Sequence, residues 1–206
     1  MSRPAINNAV RELAKVADGA TEAHWANLLR TIKFVLDTEN FALFLNPELT
    51  QDGFTMEGLS DSEYAGDRDT RISVYGYLIY FCGALIAWKS KSGRSVTLSS
   101  TEAEYYATSE VAKEIIFAKQ VIESMGLRLS YPIIIKCDNV GAIYLSNNYT
   151  TGQRTKHIDV RCHFVREYIE DGILKVIFVP SSENEADILT KNTSEEIHHK
   201  HAMKNI

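Results

Sequence analysis

Four carboxylates stand where carboxylates are awkward: Asp61 at the end of a strand-like run, Glu104 on the apolar face of a helical segment, Asp138 at the end of a continuous apolar run, and Asp187 at the start of a last helical segment. Taken singly, each has a structural explanation. Asp138 can cap the helix after it, Asp187 can complement a helix dipole, Glu104 can complete a capping box with Thr101, and Asp61 can belong to an exposed turn. Taken together they point to chemistry. Unpaired buried carboxylates are costly, so several converging from separate elements imply a hard cation, and an oxygen-rich cage for magnesium offsets their repulsion. The second acid has a rival in Glu102, which lies about 200° around a helix from Glu104 and so points away from the apolar stripe, where capping with Ser99 suits it.

The elements that must position these acids can be read from periodicity. Ile6, Val10 and Leu13, then Trp25, Leu28, Leu29, Ile32, Val35 and Leu36, recur at helical spacing on either side of Asp18-Gly19, which predicts two amphipathic helices over residues 5–36. Two turn signals, Asn46-Pro47 and Asp52-Gly53, place a boundary near residue 50. Beyond it the pattern is strand-like: Phe54 to Asp61, a hairpin from Tyr75 to Cys82 and Ala84 to Trp88, and Val96 to Leu98. Ser99-Ser100-Thr101 opens a long helix that Gly126 closes, with Glu104, Thr108, Val111, Ile115, Ala118, Ile122 and Met125 forming its inward stripe. Ile133-Ile134-Ile135 is an apolar run of the kind buried in a parallel sheet, ending at Cys137-Asp138-Asn139 before another helix. A helix over 158–169, a strand over 172–179 and a helix from Glu183 onward complete an α/β sandwich around a mixed sheet.

Composition sets the bounds. The 206 residues are 45% hydrophobic and 24% charged, the profile of a globular protein large enough to bury a core. A net charge of −5 supplies no bulk attraction to a polyanion, so nucleic-acid binding has to come from local patches or bound cations. Cys82, Cys137 and Cys162 are widely spaced, which argues against a disulfide framework or a cysteine-rich zinc site and fits a reducing compartment. The opening residues lack the apolar core of a signal peptide, and the uncharged run from Ile72 to Trp88 reads as two strands, so no membrane span is expected.

Five ordered segments carry a family resemblance. GLSDSEYAGD at 58–67, AWKSKSGRSVTLSSTEAEYYATSEVAKE at 87–114, KCDNVGAI at 136–143, RTKHIDVRCHFVRE at 154–167 and VPSSENEADILTK at 179–191 resemble the ribonuclease H domain of copia-type retrotransposon Pol polyproteins, a reverse transcriptase with an attached ribonuclease H. RPAINNAVRELAK and EAHWANLLRTIKFVL also resemble the segment preceding that domain, where the polymerase part ends. The polymerase's own acidic motif is absent from the chain.

The resemblance implies a ribonuclease H-like fold, a mixed five-stranded sheet flanked by helices, over 51–192, with 1–50 a helical connecting segment and 193–206 a tail. It implies that Asp61, Glu104, Asp138 and Asp187 are both the catalytic residues and the metal ligands for two Mg2+ ions, with Mn2+ as a substitute. Asp61 would bridge both ions, Glu104 and Asp138 would hold the one near the leaving group, and Asp187 the one that activates water. The family's glutamate followed by two large residues and alanine fits Glu104-Tyr105-Tyr106-Ala107. Many relatives carry a histidine in the loop before the last aspartate; here that loop reads Pro180-Ser181-Ser182-Glu183-Asn184-Glu185, which puts a histidine's part in doubt, with His157 and His163 as substitutes.

The implied activity is hydrolysis of the RNA strand of RNA–DNA hybrids during reverse transcription, with the hybrid and the upstream polymerase domain as partners and a cytoplasmic retrotransposon particle, or the nucleus, as the location. Ser62, Asn139 and Asn184 neighbour the acids and are candidate contacts to 2′-hydroxyls. Positive charge clusters at Lys89, Lys91 and Arg94 and at Arg154, Lys156, Arg161 and Arg166; either group could grip phosphates, and either could be solvated surface. Two other readings stay open: a catalytically silent fragment that binds nucleic acid or a partner, and an integrase- or resolvase-like nuclease acting on DNA. The histidine-rich tail, His198-His199-Lys200-His201, is expected to fray.

Overall fold

A computed structural model describes residues 3–43, 45, 53–148 and 156–203, the stretch 156–162 by its backbone alone. The two N-terminal helices form as expected, α1 over Asn7–Lys15 and α2 over Glu22–Asp37, the second opened by Thr21, whose hydroxyl accepts from the His24 amide. Strands β1 (Met56–Glu63), β2 (Val74–Phe81) and β3 (Ala84–Ser92) form an antiparallel meander. Helix α3 (Ser100–Ser124) then crosses to β4 (Ile133–Cys137), which pairs with β1 in parallel; α4 (Val140–Asn147) and α5 (Lys156–Glu170) lead to β5 (Leu174–Phe178), parallel to β4. The result is one mixed sheet of five strands in the order β3-β2-β1-β4-β5.

Alternation along the central strands makes both faces of this sheet apolar. On β2, Tyr77 and Ile79 join Val111, Ile115, Ile133 and Ile135 under α3, while Leu78 and Tyr80 join Leu59, Leu85, Ile188 and Leu189 on the opposite face. The α3 stripe packs inward from Glu104 to Ile122, but Met125, the last residue read into it, is 68% exposed because the helix ends at Ser124.

Gly58 sets how closely α3 can lie. A β-carbon there would stand 2.8 Å from Val111 Cγ2 and 2.8 Å from Ile115 Cδ1, so only glycine lets the helix settle onto β1 at this depth.

Three expectations are corrected. Val96–Leu98 is no strand: Val96 and Leu98 face solvent, and only Thr97 turns inward, its hydroxyl bonded to Ser73 Oγ at 2.7 Å. Asp187 begins no long helix; residues Ser181–Glu183 and Glu185–Leu189 form two short 3-10 turns, the second capped by Asn184. Nor does the histidine-rich tail fray within the described residues. It forms α6 (Glu195–Met203), with His201 and Ala202 buried and the His198 ring set edge-on against Phe34. The turn signals near residue 50 lie largely outside the described residues.

Candidate metal centre

The chain directions of β1 and β4 place the site. These neighbours run parallel, and the chain leaves β1 toward β2 on one side and β4 toward β5 on the other, which opens a crevice at their carboxyl ends. Asp61 lies near the end of β1 and Asp138 directly follows β4.

Alternation on β1 sorts its side chains between the faces. Ser60 and Ser62 face α3: Ser60 Oγ lies 3.2 Å from Thr108 Oγ1, and Ser62 donates both its amide (3.0 Å) and its hydroxyl (2.9 Å) to Glu104 Oε1. Asp61 points the other way, beneath the turn that carries Asp187. Gly76 pairs with Asp61 across the ladder, and a β-carbon there would meet Thr190 Cγ2 at 2.7 Å and Leu189 Cβ at 2.8 Å. The missing side chain is what lets the turn pass so close over the strand. Asn184 anchors the turn from below, its amide donating to the Ser60 carbonyl at 2.9 Å and its carbonyl oxygen accepting from the Ala186 amide.

All four acids converge. Oxygens of Asp61, Asp138 and Asp187 lie within 4.8 Å of one another, and an oxygen of Glu104 lies within the same span of Asp138 and the Cys137 sulfur. Glu102, the rival of Glu104, points elsewhere: its carboxylate accepts from the Leu98 amide at 2.7 Å and its own amide donates to Ser99 Oγ. Asp138 accepts at 2.6 Å from Ser181 Oγ, in the loop before Asp187.

The electrostatics are those of charge crowded under cover. Burial, then the charges of Glu104 and Asp187, holds the Asp61 carboxyl well above the usual carboxylate range, although Lys191 opposes the shift. Burial and then Asp138 push Glu104 up to about 7 against the Ser62 hydrogen bonds. Cys137 is pushed up to about 12, first by burial and then by Glu104, so it stays a thiol and adds no thiolate to the donor set. Three or four carboxylate oxygens with no soft ligand suit a hard divalent cation, whose charge would relieve this repulsion.

Two residues of the site escape sequence reasoning. The Lys191 ammonium reaches Asp61 Oδ1 at 2.8 Å and Asp187 Oδ1 at 3.2 Å, and the Thr190 hydroxyl donates to Asp61 Oδ2. A lysine in a loop reads as solvated; the available signal was its position four residues after an aspartate.

Of the other candidates, Asn184 is fully buried with its amide spent on the backbone, so it positions the turn and offers nothing to a ligand. Ser62 is likewise committed to Glu104, and Asn139 caps α4 through the Ala142 amide at 2.9 Å. Arg166 is no phosphate grip: it is buried, and its guanidinium donates to the Leu145 carbonyl at 2.9 and 2.8 Å. Lys89 and Lys91 lie 3.7 and 3.6 Å from Glu114 and Glu110. Arg154 and the side chains of Lys156, His157, Arg161 and Cys162 lie outside the described residues. Cys82 and Cys137 are buried free thiols, and no described helix is long and apolar enough to cross a membrane.

The strand order and the flanking helices define a ribonuclease H-like fold. Superposition on the crystal structure of LC11-RNase H1 in complex with RNA/DNA hybrid gives a TM-score of 0.50 at 13% identity, over 66% of this chain and 94% of that one, a likeness of fold. In sequence the chain is 35% identical over 193 residues to the retrovirus-related Pol polyprotein from transposon RE2 of Arabidopsis thaliana, covering 94% of the chain. It is 37% identical over 190 residues to the corresponding polyprotein from transposon TNT 1-94 of Nicotiana tabacum. Its homologues are thus retrovirus-related Pol polyproteins of copia-type transposons, and the chain spans 13% of the RE2 protein and 14% of the TNT 1-94 protein. No family model matches it.

Proposed function

We propose that this chain cleaves the RNA strand of RNA–DNA hybrids during reverse transcription of a transposon, with Asp61, Glu104, Asp138 and Asp187 as the catalytic carboxylates and the ligands of two Mg2+ ions. The observation that carries the reading is the approach of Asp61, Asp138 and Asp187 oxygens to within 4.8 Å from three separate elements. The donor set fits, since it is all hard oxygen and its mutual repulsion favours a cation over protons at neutral pH. Two divalent ions would supply an activated water, a stabilised leaving oxygen and neutralisation of charge growing on the phosphate.

The chain's part is placement. Ser62 fixes one oxygen of Glu104, Ser181 one oxygen of Asp138, and the glycine-permitted turn holds Asp187 beside Asp61. Substrate choice would rest on 2′-hydroxyls and the groove shape of the hybrid. The proposal includes the polyprotein's polymerase domain as partner, facing residues 1–50 as a connecting segment, and a reducing cytoplasmic particle as the setting, with nuclear entry as part of the same cycle. Kinship across 193 residues, 94% of the chain, supports this context.

The test is incubation with labelled hybrid, double-stranded RNA and duplex DNA, in Mg2+ or in chelator. Metal-dependent loss of the hybrid's RNA alone is expected. Asp138→Asn should reduce cleavage at least about a thousandfold with the thermal midpoint unchanged or raised; a variant that keeps most of its activity would show the site misassigned.

A further inference from the structure

Lys191 stands inside the acid cluster, not at its rim. Its ammonium bridges Asp61 Oδ1 and Asp187 Oδ1, while Thr190 occupies Asp61 Oδ2, so both oxygens of a side chain with no exposed surface are already engaged. Its backbone is fixed from two directions. The Lys191 amide donates to the Asp187 carbonyl at 2.9 Å, and its carbonyl accepts at 3.1 Å from Asn8 Nδ2 on α1. The flexible four-carbon stem is therefore the part free to move, and a side chain 35% exposed has solvent to move into.

From this geometry we infer that Lys191 is a built-in cation: it holds Asp61 and Asp187 together when no divalent ion is bound, and it must withdraw from Asp61 for a metal to take the same oxygens. The inference rests on the metal-centre reading above. An ammonium and a divalent ion drawn to the same Asp61 oxygen repel one another at close range, so ion binding and the Lys191–Asp61 contact compete. The lysine thus weakens metal binding while keeping the metal-free site from being torn apart by its own charge.

The test compares the full chain with Lys191→Met and Lys191→Arg, using Mn2+ alone as the probe. Calorimetric titration should show Lys191→Met binding Mn2+ about tenfold or more tightly than the unaltered chain, and Lys191→Arg binding it no more tightly. In chelator Lys191→Met should melt below the unaltered chain, and saturating Mn2+ should raise its midpoint by the larger amount. If Lys191→Met is too unstable to titrate in chelator, recovery of its melting transition by Mn2+ but not by an equal ionic strength of NaCl supports the inference in its place, and failure of Mn2+ to restore it counts against. Equal Mn2+ affinity in all three proteins, or weaker binding by Lys191→Met, overturns the lysine's role and leaves the metal centre standing. Binding by none of them overturns the metal reading and this inference with it.

Discussion

Glu104 answers two opposed demands, and its proton records them. It must be buried to sit against β1, and it must be ionised to hold a cation. In the folded chain its carboxyl is pushed from 4.5 up to about 7, while in the unfolded chain it loses its proton near the ordinary value. Between those values the native state binds more protons than the unfolded one, so stability falls as pH rises through the window and the penalty is complete above about 7. Urea melts in chelator should show that decline, Asp61 contributing in the same direction. Glu104→Gln should flatten it in part, and Mg2+ added at the alkaline end should restore stability. A chain equally stable across the window in chelator would mean the carboxylates are not crowded together as described. Asn184 allows a second test at this scale, because a positioning role and a substrate contact predict different losses. Asn184→Ala removes the donor to the buried Ser60 carbonyl and should cost about 1–3 kcal/mol of stability. A variant of normal stability with weakened hybrid binding would return this residue to the list of substrate contacts.

At the level of elements, the parts easiest to read in advance were those governed by a single period. The helical recurrence that put Glu104 in line with Val111 and Ile115 was legible because α3 buries that whole stripe, and the uncharged run from Ile72 to Trp88 exposed the hairpin because β2 is covered on both faces. What defeated reading was local chemistry without a period. Val96-Thr97-Leu98 looks like a strand, but one inward threonine bonded to Ser73 fixes it while the apolar residues stay outside. The turn carrying Asp187 is short and tertiary, held by Asn184 from below and admitted by Gly76 across the ladder, and neither residue announces a partner more than a hundred positions away. Lys191 was unreadable for the same reason. The role of Gly76 can be isolated by comparison with Gly58. Gly58→Ala presses on the outer ends of Val111 and Ile115, whereas Gly76→Ala presses on Leu189 Cβ and Thr190, next to Asp61. Each should cost about 1–3 kcal/mol. Only Gly76→Ala should also lower hybrid cleavage well beyond its loss of folded protein, by about a hundredfold if the turn moves by about 1 Å. Equal proportional losses in the two variants would deny the turn its positioning role.

On the scale of the whole molecule, the helices before the sheet are only half used. Asn8 of α1 reaches the Lys191 carbonyl, and α1 lies against β3, so this segment is tied to the five-stranded sheet and the turn beside its acid cluster. Helix α2 spends far less of its apolar surface: Trp25 is 60% exposed and Leu36 63%, and Leu29 and Ile32 also face solvent. Large apolar side chains scattered singly are unremarkable, but four at helical spacing on one helix form a stripe of the kind that marks an interface. Under the proposed context its occupant is the polymerase domain of the polyprotein. Two measurements separate that from idle exposure. Trp25→Ser should change the unfolding free energy of this chain by less than about 0.5 kcal/mol, because the side chain supports nothing within it. In a chain extended to include the polymerase domain, Trp25 fluorescence should become shielded from iodide, with Trp88 replaced by phenylalanine to isolate the signal, and Ile32→Glu should restore quenching. If Trp25 stays as open to iodide in the extended protein as in this chain, α2 does not face the polymerase, and the contact between the two activities has to run through α1 and the turn it holds.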